Sequence, residues 1–221
     1  MFVNLRDSKD IAFHITTIEN KKFLTGFSVD VKDSTEAVAR NIANEKAARL
    51  SNIISVKSGR YVFETLSGFD AIRKGGPVFI SSLLTINSAI KKELDLDLND
   101  KRISSILGRN TKTALLYDFV SRGIKAAEDQ DPVTMIREFH KVIEETKLSS
   151  EKKYRSLRNM VSHRGPLKQE TILQVRENFG SDYFHFTGRY FDINSQKNKE
   201  RLRNAANRLA RKVIQYIQEI P

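Results

Sequence analysis

The 221-residue sequence contains no cysteine. It therefore has no disulfide, no thiol nucleophile and no cysteine-based zinc site. Its four histidines are scattered along the chain, so a metal site built from protein nitrogen atoms is not expected, although carboxylate sites stay open. We predict that the protein needs neither a metal ion nor another cofactor.

Long apolar runs are also missing. No stretch of the sequence is long and apolar enough to span a bilayer, and residues 1–7 lack the apolar core of a signal peptide. We therefore expect a soluble, cytoplasmic protein with no membrane partner.

Acidic residues are outnumbered. The chain has 38 Lys and Arg against 27 Asp and Glu, which gives a formal net charge of +11. Such an excess favours polyanionic partners, of which nucleic acid is the usual one. An anionic membrane surface is the rival, but we find no basic helix rich in Trp or Phe that would suit it. The charge also fits a merely soluble basic protein, so it favours RNA as a partner without establishing it.

The first part of the chain predicts a small module of strands and one helix. Apolar residues alternate over residues 10–31, which indicates a β-hairpin. Residues 34–56 carry an apolar helical stripe, with a capping box at Asp33 and Glu36 and a stop at Gly59. A third short strand is predicted at residues 60–66. We assign residues 1–74 to this α+β module.

Residues 70–77 contain Gly75-Gly76-Pro77 and are interpreted as a linker. Helical patterns dominate beyond it, so we predict an all-α bundle over residues 77–221. One helix begins with Asp131 as N-cap and Pro132 at its first position. His140 lies beside its apolar stripe and is interpreted as a structural histidine. The predicted helices cover about 78–93, 111–127, 131 onward, 149–164, 168–178 and 195–219.

The helix at 149–164 carries the most informative stretch, residues 154–166. Ser149 or Ser150 can cap its start, and Gly165-Pro166 is typical of a helix end. Its core stripe is Tyr154, Leu157 and Val161, spaced i, i+3, i+7. Arg158 lies at the edge of the stripe, Asn159 follows it, and His163 lies near the negative helix end, which favours the imidazolium form.

Arg158-Asn159-x-x-x-His163 resembles the motif of HEPN domains, in which Arg, a polar residue, a short spacer and His follow one another. The resemblance covers roughly residues 77–219. It implies an all-α bundle, and many members of that family are metal-independent ribonucleases. It also implies that the Arg and His of two subunits meet at a homodimer interface.

A second interpretation needs no catalysis. Basic residues followed by Gly are typical of a helix C-terminus. The negative end of the helix dipole could therefore be the only feature that explains Arg155, Arg158, His163 and Arg164. At ~100° per residue, Arg158 and His163 point ~140° apart on an ideal helix. They converge only if the helix loosens before His163 or if two chains share the site.

RNA carries its own nucleophile, the 2′-OH, so cleavage needs a base, an acid and a cation for the phosphorane, and no metal. Arg158 suits the role of the cation, and His163 suits the proton transfer. Asn159 lies four residues before His163 and could orient that histidine or bind phosphate. The basic face of the last helix is a candidate track for the phosphate backbone, or simply a solvated surface. The predicted nucleic-acid-binding residues are Arg155, Arg164, Arg201, Arg208, Arg211 and Lys212.

Three functions follow from these patterns. The first is a metal-independent endoribonuclease of HEPN type, in toxin or defence biology as the resemblance implies. The second is a non-catalytic module of the same fold that binds nucleic acid or nucleotides, and the third is a protein-interaction scaffold, which predicts no affinity for RNA.

Overall fold

The computed structural model describes residues 3–33, 35–62, 64–73, 78–86, 94–108, 111–148, 151–163 and 165–219. The strands are β1 (Val3–Arg6), β2 (Ile11–Ile18), β3 (Lys21–Asp33), β4 (Glu64–Arg73), β5 (Val78–Ile86), β6 (Leu94–Asp97), β7 (Phe186–Thr187) and β8 (Tyr190–Phe191). The helices are α1 (Glu36–Ser58), α2 (Lys101–Leu107), α3 (Thr111–Glu128), α4 (Pro132–Thr146), α5 (Glu151–Ser162), α6 (Gln169–Phe179) and α7 (Gln196–Glu219). The fold is therefore α+β, as the sequence predicted.

The chain divides into two compact units, Met1–Ser121 and Arg122–Ile220. An antiparallel sheet in the order β2-β3-β5-β4 lies in the first unit. The predicted hairpin is its β2–β3 pair, which turns at Glu19 and Asn20, both with positive φ. Backbone of this kind twists in the same sense as the flanking strands, so the turn fixes the register of the hairpin.

Helix α1 packs against β3 and β5. Its apolar side is buried because small and branched residues recur at helical spacing, at Ala39, Ala43, Ala47, Leu50 and Ile54. The hydroxyl of Thr35, rather than the predicted Asp33, caps the helix by accepting from the Val38 N–H. Gly59 ends it in the left-handed conformation (φ 67°), as predicted.

A second, parallel pair joins β1 to β6, with Val3 opposite Leu94 and Arg6 opposite Asp97. The backbone N–H of Leu98 extends the pair by donating to the carbonyl of Arg6 over 3.1 Å. The alternate residues Leu94, Leu96 and Leu98 are buried, as expected of a strand with one face in a core.

The predicted helix at 78–93 is wrong over residues 78–86, which form strand β5 between β3 and β4. A short apolar strand that is hydrogen-bonded to a neighbouring strand on each edge has no alternation of apolar and polar residues. Periodicity alone therefore does not distinguish it from a helix. Residues 87–93 lie outside the described part. Strand β4 ends at Arg73 and β5 begins at Val78, and these two strands pair in one sheet. The predicted linker at residues 70–77 therefore falls between paired strands of the first unit, and residues 74–77 lie outside the described part. The division between the units accordingly lies later than the predicted boundary, between Ser121 and Arg122.

The second unit is a helical bundle, and its helices lie within one or two residues of their predicted bounds. Helix α4 packs against both α5 and α7, and α5 packs against α6. Its buried side chains include Ile136, Phe139, Ile143, Leu157, Leu202, Leu209 and Val213. The motif helix α5 and the last helix α7 therefore both pack on α4 rather than mainly on each other.

Most aromatic residues between α6 and α7 pack on one another, although Tyr190 is exposed. Phe184 is buried and meets Phe179, Tyr183 and Phe191 edge to face, with ring centroids 5.7, 4.8 and 5.6 Å away. The quadrupoles of the aromatic rings favour such edge-to-face arrangements. The buried Phe184 and its neighbouring rings therefore contribute to the packing of the second unit. Across the described residues, no helix combines the length and apolar character needed to traverse a bilayer.

Candidate functional site

Helices α4 and α5 position the motif. Tyr154, Leu157 and Val161 are buried as the stripe predicted, and Met160 joins them. Because these side chains fix the rotation of α5 against α4, Arg158 and Asn159 fall at the edge of the contact, where both are half-buried.

The guanidinium of Arg158 is held from both sides. Its Nη2 donates to Oε1 of Glu144 on α4 over 2.8 Å, and its Nη1 donates to the side-chain oxygen of Asn159 over 3.1 Å. The Arg158 and Glu144 side chains are 36% and 38% exposed. The guanidinium is thus oriented before any ligand arrives, and the carboxylate offsets part of its charge.

Glu144 also faces a buried histidine. The Nδ1 of His140, one turn earlier on α4, lies 3.3 Å from Oε2 of Glu144. His140 is completely buried, and in the described part of the chain neither ring nitrogen has a hydrogen-bond partner. The predicted structural histidine is therefore in the core, as expected, but beside the candidate site.

The charges in this cluster oppose one another. Burial lowers the pKa of His140, and the positive charges of Arg158 and Arg155 lower it further, although Glu144 acts to raise it. Burial by itself raises the pKa of Glu144, but the hydrogen bond from Arg158 and the proximity of His140 outweigh it, so that this pKa lies below its usual range. The cluster consequently contains a neutral His140 and a charged Glu144 at neutral pH.

His163 is not part of this cluster within one chain. Helix α5 ends at Ser162, before it reaches Gly165, and His163 follows the helix as an exposed residue. No side-chain hydrogen bond or ion pair joins His163 to Arg158 or Asn159 in the described ranges, and the Asn159 side-chain oxygen accepts from Arg158 instead. The structure therefore joins the side chains of Arg158 and Asn159 and does not join the His163 side chain to either.

The end of α5 is satisfied from another helix. Arg137 of α4 donates from its Nη2 to the carbonyl of Val161 over 3.2 Å. The last carbonyls of a helix need such donors. Arg158 directs its guanidinium to Glu144 instead, so capping of α5 does not explain Arg158.

The predicted nucleic-acid-binding residues fall into three groups. Arg155 on α5 and Arg208 and Arg211 on α7 are exposed, and Lys212 is half-exposed. Arg201 is engaged in packing, since it donates to the carbonyl of Asp182 and covers the ring of Tyr183 at 5.6 Å. Arg164 lies outside the described residues. The exposed side of α7 is basic as expected, but Arg201 belongs to the fold.

Sequence reasoning did not find Glu144. The available signal was the i, i+4 pair of His140 and Glu144 on a strongly amphipathic helix, which places both side chains on one face. That spacing does not show which helix lies opposite. The contact with Arg158 depends on the packing of α4 against α5.

Among the described residues, no group of three or more metal-ligating side chains lies close enough to hold an ion. No family model matches the chain, and no curated protein and no solved structure shows significant similarity to it.

Proposed function

We propose that the protein is a metal-independent endoribonuclease of the HEPN type. The observation that carries the proposal is the half-buried Arg158, which Glu144 and Asn159 hold in place. A guanidinium oriented in advance can stabilise charge in a transition state without reorganising first. Its planar fork also matches the oxygen atoms of a phosphate.

In this reaction the 2′-OH of RNA attacks the adjacent phosphorus. Arg158 stabilises the phosphorane, Asn159 orients the guanidinium, and His163 transfers a proton. The exposure of His163 suits this role because it leaves the imidazole accessible to a substrate. The products are a 2′,3′-cyclic phosphate and a free 5′-OH.

The site is completed by a second copy of the chain. No side-chain hydrogen bond or ion pair joins His163 to Arg158 or Asn159 of its own chain, across the residues that the structure describes. A homodimer that pairs α5 with α5 places the histidine of one protomer near the arginine of the other. Light scattering is expected to report a dimer, and a monomer at high concentration would exclude the shared site.

The catalytic test is cleavage of a labelled RNA in EDTA. Arg158→Ala is expected to lower the rate by about 10²–10³, the effect of removing one transition-state donor. His163→Ala is expected to lower it by about 10²–10⁴, the usual contribution of a proton-transfer group. His185→Ala is the matched control, because His185 is also exposed but lies far along the chain from the motif. Cleavage by the His163 variant at the wild-type rate would refute the assignment.

The second candidate is a non-catalytic module that binds nucleic acid through the same fold. The ion pair with Glu144 favours it, since the carboxylate offsets part of the charge of Arg158. This module would retain salt-sensitive RNA binding and cut no RNA under any condition. A scaffold without RNA affinity would show neither property.

A further inference from the structure

A small cavity in the second unit lies away from the motif, where the turn between α3 and α4 meets α7. Its volume is about 180 Å³. This is below the roughly 300–1,000 Å³ of pockets that bury drug-sized ligands, so it suits a single planar group. It is lined by Ala127, Gln130, Pro132, Met135, Arg203 and Asn207.

The lining combines an apolar part with three polar side chains. Ala127, Pro132 and the buried Met135 present carbon and sulfur atoms. Gln130 and Asn207 each offer an amide, which is both a donor and an acceptor, and Arg203 offers only donors. Amides of this kind pair with the edges of nucleobases, while apolar side chains contact base faces.

The turn that carries Gln130 is fixed by its own backbone. Gln130 has φ of 56°, a conformation that few non-glycine residues adopt. It is held there because its N–H bonds the carbonyl of Ala127 at 3.2 Å and the next N–H bonds that of Ala126 at 2.8 Å. The Gln130 side-chain oxygen accepts from Nη2 of Arg203 over 3.3 Å. Two of the polar groups are therefore oriented toward each other across the cavity.

The helix that forms one wall is positively charged on both sides of the cavity. Lys199, Arg203, Asn207 and Arg211 are all exposed and recur every four residues, so they follow one ridge of α7. Cations thus flank the cavity at both ends of this ridge. A single strand whose base enters the cavity would place its neighbouring phosphates beside them.

The carboxylates of the turn are already engaged. Asp131 caps α4 by accepting from the N–H groups of Val133 and Thr134, at 3.0 and 3.1 Å. Asp129 lies 3.9 Å from Nζ of Lys125. Neither carboxylate is among the side chains that line the cavity.

From these observations we infer that the cavity binds one unstacked nucleobase of single-stranded RNA, with flanking phosphates on Lys199 and Arg211. The inference rests on the proposed function only in taking RNA as the ligand, and it does not require cleavage. It makes Gln130, Arg203 and Asn207 the residues that determine base preference.

The test uses the full chain and calorimetric titration with two probes, a nucleoside 5′-monophosphate and ribose 5-phosphate, which lacks the base. All four monophosphates are compared. The base-containing probe is expected to bind at least about tenfold more tightly, the effect of one good bidentate base contact. Asn207→Ala and Arg203→Ala are each expected to remove about tenfold of that affinity. Asn204→Ala is the matched control, an exposed asparagine of the same helix outside the cavity.

Equal binding of the two probes, or equal losses in the Asn207 and Asn204 variants, would overturn the inference. RNA cleavage by the same preparation is measured in parallel. Cleavage without base-dependent binding refutes the nucleobase cavity and leaves the ribonuclease standing. Base-dependent binding that Asn207→Ala weakens, without any cleavage, supports the cavity and refutes the ribonuclease.

Discussion

Replacing Glu144 by Gln is expected to release the charge of Arg158 for phosphate. The carboxylate accepts from Arg158 over 2.8 Å, and it is the acidic group paired with that guanidinium across the helix contact. Gln keeps the size of the side chain and removes its charge. RNA binding should therefore become tighter at low salt.

The stability cost of this change is small. Both side chains are exposed by slightly more than a third, 36% and 38%, so solvent screens the pair. Pairs of this kind contribute about 0.2–1 kcal/mol. We expect Glu144→Gln to lower the free energy of unfolding by no more than about 1 kcal/mol, which leaves the variant folded for a binding measurement.

The magnitude of the binding effect follows from counterion release. Each phosphate contact on a single strand contributes about −0.7 to the slope of log K against log salt. One released guanidinium should therefore make the slope more negative by up to about 0.7. Fluorescence anisotropy of a labelled single-stranded RNA, measured at several salt concentrations, determines this slope.

Glu145→Gln provides the matched control. Glu145 is the next residue and is exposed, so its replacement adds the same net charge without releasing Arg158. The double change Glu144→Gln with Arg158→Gln should return the slope to the wild-type value. If the two single glutamate variants steepen the slope equally, the effect is net charge alone and the proposed contact of Arg158 with phosphate is refuted.

Three further predictions concern stability. Gly123→Ala should destabilise the second unit by up to about 2 kcal/mol in chemical denaturation, because the new Cβ would lie 2.6 Å from the buried ring of Phe139. Overpacking of this kind costs about 1–3 kcal/mol, and the better helix propensity of Ala returns about 1 kcal/mol. An unchanged denaturation midpoint would show that the ring moves freely. Asp131→Ala should cost about 1 kcal/mol by the same measurement, since it removes the N-cap of α4, and no loss would contradict the capping assignment. Since the pKa of His140 is lowered from 6.5, the unfolded chain binds its proton first as pH falls, so stability should decline below about pH 6.5. His140→Leu should flatten that decline. Glu144 does not account for it, because its pKa is lowered from 4.5 and it titrates only below that pH range. If the denaturation midpoint of the variant has the same pH profile as that of the wild type, another group titrates there.

Most of the helical unit could be predicted from sequence because its signals are local. Asp131 followed by Pro132 marks the start of α4 in the sequence and in the structure. The apolar stripe of α5 is buried as its spacing indicated. Amphipathic helices reveal their buried faces in this way because one side of each meets the core.

Strand β5 could not be predicted because its conformation depends on its neighbours. The run Phe79–Ile86 has apolar residues at spacings that fit a helix, yet hydrogen bonds to β3 and β4 hold it extended. The same limit applies to the site. Arg158 and His163 stand out in the sequence, but the partner of Arg158 is fourteen positions away on another helix, and only the packing of α4 on α5 brings it near.

The parallel pairing of β1 with β6 has a consequence for the order in which the first unit assembles. Val3 pairs with Leu94, so β1 cannot form this pair until β2 to β5 and the residues up to Asp97 have left the ribosome. The β2–β3 hairpin is local and can form early, while β1 must wait for a contact of high sequence separation. Synthesis that stalls before β6 would therefore leave a nascent chain with a formed hairpin and an unpaired leading strand.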